Sequence, residues 1–276
     1  MDEHSMLAVV LGAVIGGVLA MTGAGGGILA IPVLVFGLGL SMTQAAPVGL
    51  LAVALASGVG AVLGLKQGVV RYKAAAFISS IGIVAAPLGL HLAQRIPNKP
   101  LALVFSLVLI YASVRMLRNA SREIRNGGAA PRREVLPCVL NPAKGRLRWT
   151  LPCARVLALT GFTSGLLSGL LGVGGGFVII PALTRYTNLE MKSIVATSLA
   201  VIASVSIGGV IAAAISGVMY WQAAVPFAVG AVLGLIAGRQ LAHKLAIPRL
   251  QQAFSIVGIV AAIMLGASVF GLGLGS

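Results

Sequence analysis

Gly23-Ala24-Gly25-Gly26-Gly27-Ile28-Leu29-Ala30-Ile31-Pro32 and Gly172-Val173-Gly174-Gly175-Gly176-Phe177-Val178-Ile179-Ile180-Pro181 are two copies of one pattern, set 149 positions apart. Four glycines, an isoleucine and the proline recur in register, and Leu34 and Leu183 match two places beyond. In both copies an apolar run precedes the glycines and a short one follows them. Glycine costs a helix about 1 kcal/mol per residue relative to alanine, so each cluster releases the backbone from helix. The proline then fits the first turn of a new helix, where its missing N–H is not needed. Each stretch reads as a broken helix whose second part starts at about Gly27 or Gly176. The free N–H groups and positive dipole end of that part point at whatever lies in the break.

The chain around these stretches has 276 residues, 58% hydrophobic and 9% charged, with a mean hydropathy of +1.04. Soluble domains carry about 25% charged residues. This composition describes an all-α polytopic membrane protein whose solvent is the bilayer. The net charge of +15 does not indicate nucleic-acid binding. Basic residues fall between apolar runs, where they orient helices, and no basic stripe with stacking aromatics is present. Cys138 and Cys153 lie in or beside the central polar loop and read as two free thiols. No histidine accompanies them there, so no metal site is expected. The acidic start Met1-Asp2-Glu3-His4 is unlike a signal peptide, and the apolar run after it is expected to stay in the mature protein.

Apolar runs fall at about 6–22, 28–40, 44–65, 74–94 and 100–117, then at about 154–171, 177–187, 191–216, 222–242 and 250–272. That is five per half in the same order. It divides the chain into a first transmembrane repeat (1–118), a basic linker (119–153) and a second repeat (154–276). Runs beside the glycines are shorter than the roughly 20 residues of a spanning helix. Short, glycine-interrupted segments at matching places in two halves point to a transporter binding site. The pairs 6–40 and 154–187 read equally as re-entrant hairpins or as two tilted spans. In either case both ends of a pair lie on one side. Three further spans then make the second half inverted relative to the first.

Charge agrees with inversion. The polar loop at 118–153 carries Arg118, Arg122, Arg125, Arg132, Arg133, Lys144, Arg146 and Arg148 against Glu123 and Glu134, so it is expected to be cytoplasmic and both termini external. The turn with Lys66, Arg71 and Lys73 is basic and inside, whereas its repeat-mate at Ile215–Gln222 is uncharged and outside. Arg95 and Lys99 alone fall on the wrong side.

No aspartate or glutamate lies inside any apolar run. The usual group of a proton-coupled pump is therefore missing, so the expectation is facilitated anion movement or coupling through the substrate's own protonation, with sodium held by backbone carbonyls at the breaks left open. Hydrolase and P-loop readings fail too, since the Gly-x-Ser-x-Gly elbow and the Lys-Ser/Thr after the glycines are absent. What remains is neutral: Thr22, Thr43, Gln44 and Ser57 in the first half, and Ser164, Ser168, Thr197, Ser198, Ser204 and Ser206 in the second. Hydroxyls and backbone N–H groups without a carboxylate suit an anion. The candidate binding residues are Thr22, Gly23, Gly25, Gly26, Gly27, Gln44, Gly172, Gly174, Gly175, Gly176, Thr197 and Ser198, with no catalytic or metal-binding residue and no cofactor. Against this stands a packing reading. Gly23 with Gly27, and Gly172 with Gly176, also spell Gly-x-x-x-Gly, a close-packing device of membrane helices. Arg239 reads as a snorkelling side chain near a cytoplasmic end, and His91 and His243 read as interfacial.

Twin Gly-x-Gly-Gly-Gly stretches followed by proline, a basic central loop and this length make the chain resemble the TauE/SafE sulfite exporter family, also called the toluene sulfonate uptake permease family. The resemblance spans roughly 7–118 and 154–272. It implies a bacterial inner-membrane protein moving sulfur-containing or organic anions such as sulfite, sulfoacetate or another sulfonate. Only the glycine positions carry over, and Pro47-Val48-Gly49 stands in the first half where the second has Ala196-Thr197-Ser198. The expectation is a secondary transporter working by alternating access in the export direction. Its partners would be a small anion and the lipid bilayer, with a homo-oligomer left open. The alternatives are an anion channel and a non-transporting scaffold subunit.

Overall fold

The computed structural model describes residues 3–23, 25–125, 137–141, 146–147, 150–242 and 247–269. Among them are ten α-helices, one for each apolar run. The first half holds α1 (Glu3–Thr22), α2 (Gly25–Leu38), α3 (Met42–Lys66), α4 (Tyr72–Arg95) and α5 (Asn98–Arg125). The second holds α6 (Leu151–Leu171), α7 (Gly176–Tyr186), α8 (Met191–Ile215), α9 (Trp221–Ala242) and α10 (Ile247–Val269). A ribbon of β1 (Leu140–Asn141) and β2 (Arg146–Leu147) sits in the linker. Seven helices are long and apolar enough to cross a membrane, whereas α2 and α7 have 14 and 11 residues. Val84, Leu107, Leu159 and Ile215 are exposed on the outer surface, as expected where the solvent is lipid.

The packing pattern survives exchange of the two halves. Helix α1 packs on α9 and, correspondingly, α6 on α4; α3 packs on α9 and α8 on α4; α3 meets α8, and α5 meets α10. Gly60 abuts Leu199 and Gly64 abuts Ala196, while Gly209 abuts Leu50, so α3 and α8 run antiparallel. Ser106 Oγ donates to the Ala262 carbonyl (2.6 Å) and Gly258 abuts Ser113, so α5 and α10 are antiparallel too.

The tightest interfaces are those of α1 with α9 and of α6 with α4, which run parallel. A Cβ on Gly12 or Gly16 would overlap the Phe227 or Ala231 carbonyl, and one on Gly230 or Gly234 the Val9 or Ala13 carbonyl. In the other half, Gly161, Gly165 and Gly169 press on the carbonyls of Ile78, Gly82 and Ala86. Lipid tails are as apolar as leucine, so close backbone approach and dispersion hold such pairs together. Helix-on-helix glycine packing therefore lies along these four helices.

Two expectations are corrected. The prolines are not in a first turn: Pro32 and Pro181 lie inside α2 and α7. In α2 the helix already starts at Gly25, because Gly26 is required by contact with Leu19 and Gly27 by contact with Val173, not by unwinding. Each proline withholds an N–H inside its helix, a loss that packing against neighbouring membrane helices makes tolerable. Nor are the cysteines free, since Cys138 and Cys153 form a disulfide. Cys138 bridges to Thr187 and donates its N–H to the Tyr186 carbonyl (3.2 Å) at the exit of α7. Cys153 occupies the first turn of α6, N-capped by Thr150, and the two Cα atoms come within 5.0 Å. Docking of the linker onto a segment far along the chain creates this proximity, and spacing alone does not reveal it.

Candidate functional site

The second break is built by three left-handed glycines. Helix α6 ends at Leu171, and Gly172 (φ 71°) caps it, donating its N–H to the Ser168 carbonyl at 2.8 Å. Gly174 (φ 75°) and Gly175 (φ 67°) then turn the chain back. Any side chain in that conformation costs about 1–2 kcal/mol, which accounts for glycine at these positions. Gly175 is the N-cap of α7, its carbonyl accepting from Val178 N at 3.0 Å, and Ser164 Oγ on α6 donates to the same carbonyl at 3.2 Å. Among the described residues the N–H groups of Gly174 and Gly175 have no acceptor. Both residues are buried and stand just ahead of α7, at the positive end of its dipole.

The first break is tighter. Gly23 (φ 72°) caps α1 with its N–H on the Leu19 carbonyl (2.8 Å), as Gly172 caps α6. Ala24 lies outside the described residues, and α2 starts at Gly25. Gly26 presses on Leu19 and Ile15 of the preceding helix. The two breaks meet. A Cβ on Gly27 would lie 2.5 Å from the Val173 carbonyl oxygen, and one on Gly49 3.3 Å from that of Gly172. Gly172 abuts Ala46 at the start of α3, and Gly23 abuts Val195 near the start of α8. Gly174 sits between α3 and α8, where a Cβ would meet Val53 (2.8 Å), Ile202 (3.0 Å) and Ser206 Oγ (3.0 Å).

The polar candidates have other engagements. Thr22 Oγ1 donates to the Val18 carbonyl (2.8 Å) and Ser198 Oγ to that of Val195 (2.9 Å), each within its own helix. Gln44 is exposed, and its Oε1 accepts from Ser41 N (3.3 Å) in the capping box of α3. Thr197 Oγ1 accepts from Arg71 N (3.0 Å), and Ser193 Oγ donates to the Val69 carbonyl (2.7 Å), so the start of α8 grips the α3–α4 turn. Arg239 is half-buried and donates from Nη1 to the Gly60 carbonyl on α3 (3.1 Å), a directed contact that the snorkelling reading missed. His91 is exposed, and His243 lies outside the described residues. No cluster of metal-ligating side chains occurs among the described residues.

A family model described as "Sulfite exporter TauE/SafE" matches residues 8–265. A Xylella fastidiosa (strain Temecula1) protein named "Probable membrane transporter protein" is 29% identical over 256 residues, 91% of each chain. "Probable membrane transporter protein YunE" of Bacillus subtilis (strain 168) is 26% identical over 248 residues, 87% of this chain and 89% of its own. "Probable membrane transporter protein MamO" of Magnetospirillum gryphiswaldense is 26% identical over 96% of this chain but only 43% of its own length. No solved structure matches the chain.

Proposed function

The chain belongs to the sulfite exporter TauE/SafE family of membrane transporters, and from that premise we propose that it carries a small sulfur-containing or organic anion through the meeting point of its two helix breaks. The observation that carries this reading is the buried pair of unpaired N–H donors on Gly174 and Gly175. The start of α7 offers roughly half a positive charge to an anion there. No carboxylate lies in the candidate membrane spans among the described residues to compete for such a site. The glycine positions of the first break, Gly23 to Gly27, complete the wall opposite. Thr22, Gln44, Thr197 and Ser198 act one layer out, by fixing the caps and turns that hold the breaks.

Alternating access is the proposed mechanism. Antiparallel packing of α3 on α8, equivalent helices of the two halves, supports an inverted-repeat reading. One bundle then rocks against the other about the fixed breaks. The basic linker supports an inner-membrane orientation with both termini external, and the family description supports sulfite or a sulfonate as cargo leaving the cell. Purified protein in liposomes loaded with radiolabelled sulfite tests this. The expected result is saturable efflux with counterflow. Single-channel currents would indicate a channel, and no flux of sulfite, sulfoacetate or other sulfonates would reduce the glycines to packing.

A further inference from the structure

We propose that the Ser206 hydroxyl is the side-chain donor that holds the oxyanion head of the substrate at the start of α7. This rests on the reading of the second break as the anion site and adds a residue to it. Ser206 is fully buried, and its Oγ has no hydrogen-bond partner among the described residues. Its Oγ lies 3.0 Å from where a Cβ on Gly174 would stand, so it is aimed at the glycine whose backbone turns into the break. The other buried serine hydroxyl left unpartnered among the described residues is Ser168, in the last turn of α6. Both therefore flank the same break.

Comparison with the other half sharpens the point. Ser57 stands 149 positions before Ser206, at the matching place on α3, and is equally buried. Its hydroxyl donates to the Val53 carbonyl one turn back. That is what a serine in a membrane helix ordinarily does. Ser206 could reach the Ile202 carbonyl in the same way and instead leaves its donor unused. An unmet donor in apolar surroundings, here Val53 and Ile202, is costly unless a ligand meets it. The ligand chemistry follows from the neighbours: an oxyanion head that accepts from one hydroxyl and from two backbone N–H groups.

The test titrates detergent-purified protein with sulfite, reading thermal stabilisation, alongside sulfite efflux from liposomes. In Ser206→Ala the half-saturating sulfite concentration should rise about tenfold or more, since a hydrogen bond to a charged group is lost. Without sulfite the variant should be at least as heat-stable as the wild type, because an unmet hydroxyl has been removed. Ser206→Cys, of similar size but a poor donor, should show the same loss of affinity. Ser57→Ala should keep wild-type affinity. If both Ser206 variants bind sulfite as the wild type does, the proposal is overturned while the anion site stands. If wild-type protein neither binds nor moves sulfite, the site reading falls and this proposal with it.

Discussion

Gly27 of α2 and Val173 of the second break touch: a Cβ on Gly27 would stand 2.5 Å from the Val173 carbonyl oxygen. The two helix breaks are thus in backbone contact. Gly27→Ala must push them apart, and overpacking of this kind costs about 1–3 kcal/mol. Lower thermal stability of the purified variant is expected. An unchanged midpoint would mean the breaks separate freely.

The central glycines differ from one another. A Cβ on Gly175 would strike Ser164 and its backbone, whereas one on Gly174 meets only side chains, those of Val53, Ile202 and Ser206. Side chains can give way more cheaply than backbone. Gly175→Ala should therefore lower the yield of folded, membrane-inserted protein. Gly174→Ala should fold, carrying about 1–2 kcal/mol of left-handed strain, and lose most sulfite transport. Yield by fluorescence-detected gel filtration and efflux from liposomes separate the two. Normal transport by Gly174→Ala would remove this glycine from the site.

How far the sequence could be read follows from these contacts. All ten apolar runs became helices, because a twofold recurrence of hydropathy is a local signal that tertiary context does not override. The break at Gly172 to Gly175 was legible for the same reason, as only glycine tolerates three positive φ values in four residues. Packing glycines were harder. Gly161, Gly165 and Gly169, and Gly230, Gly234 and Gly238, stand four apart and spell the signal outright. The denser clusters at Gly23–Gly27 and Gly172–Gly176 share that spacing, which does not by itself separate packing from a helix break. Which hydroxyls bond their own helix, such as Ser57, and which do not, such as Ser206, depends on rotamers and has no sequence signature.

Arg239 joins α9 to α3 through the Gly60 carbonyl. A charge-assisted hydrogen bond contributes about 1.5–3 kcal/mol. Arg239→Met keeps an apolar stem and removes the donor, so it should lower thermal stability by about that amount, with Arg239→Lys recovering part of it. Equal stability of all three proteins would restore the snorkelling interpretation.

The disulfide bears on orientation. The proposed orientation has the linker inside the cell, where thiols are kept reduced, while Cys138 and Cys153 are joined in the structure. The proposed orientation and the disulfide agree when the pair is dithiol in growing cells and closes on isolation. Acid-quenched cells treated with a mass-tagging maleimide should therefore show both thiols labelled, and protein purified in air should show neither. Once closed, the bond spans 15 residues and fastens the linker between the exit of α7 and the first turn of α6. Closing a loop of that size contributes about 3 kcal/mol, so reductant should lower the unfolding midpoint of the purified protein. A pair found already oxidised in quenched cells would put the linker on the oxidising side of the membrane. That result would reverse the topology and place both termini inside.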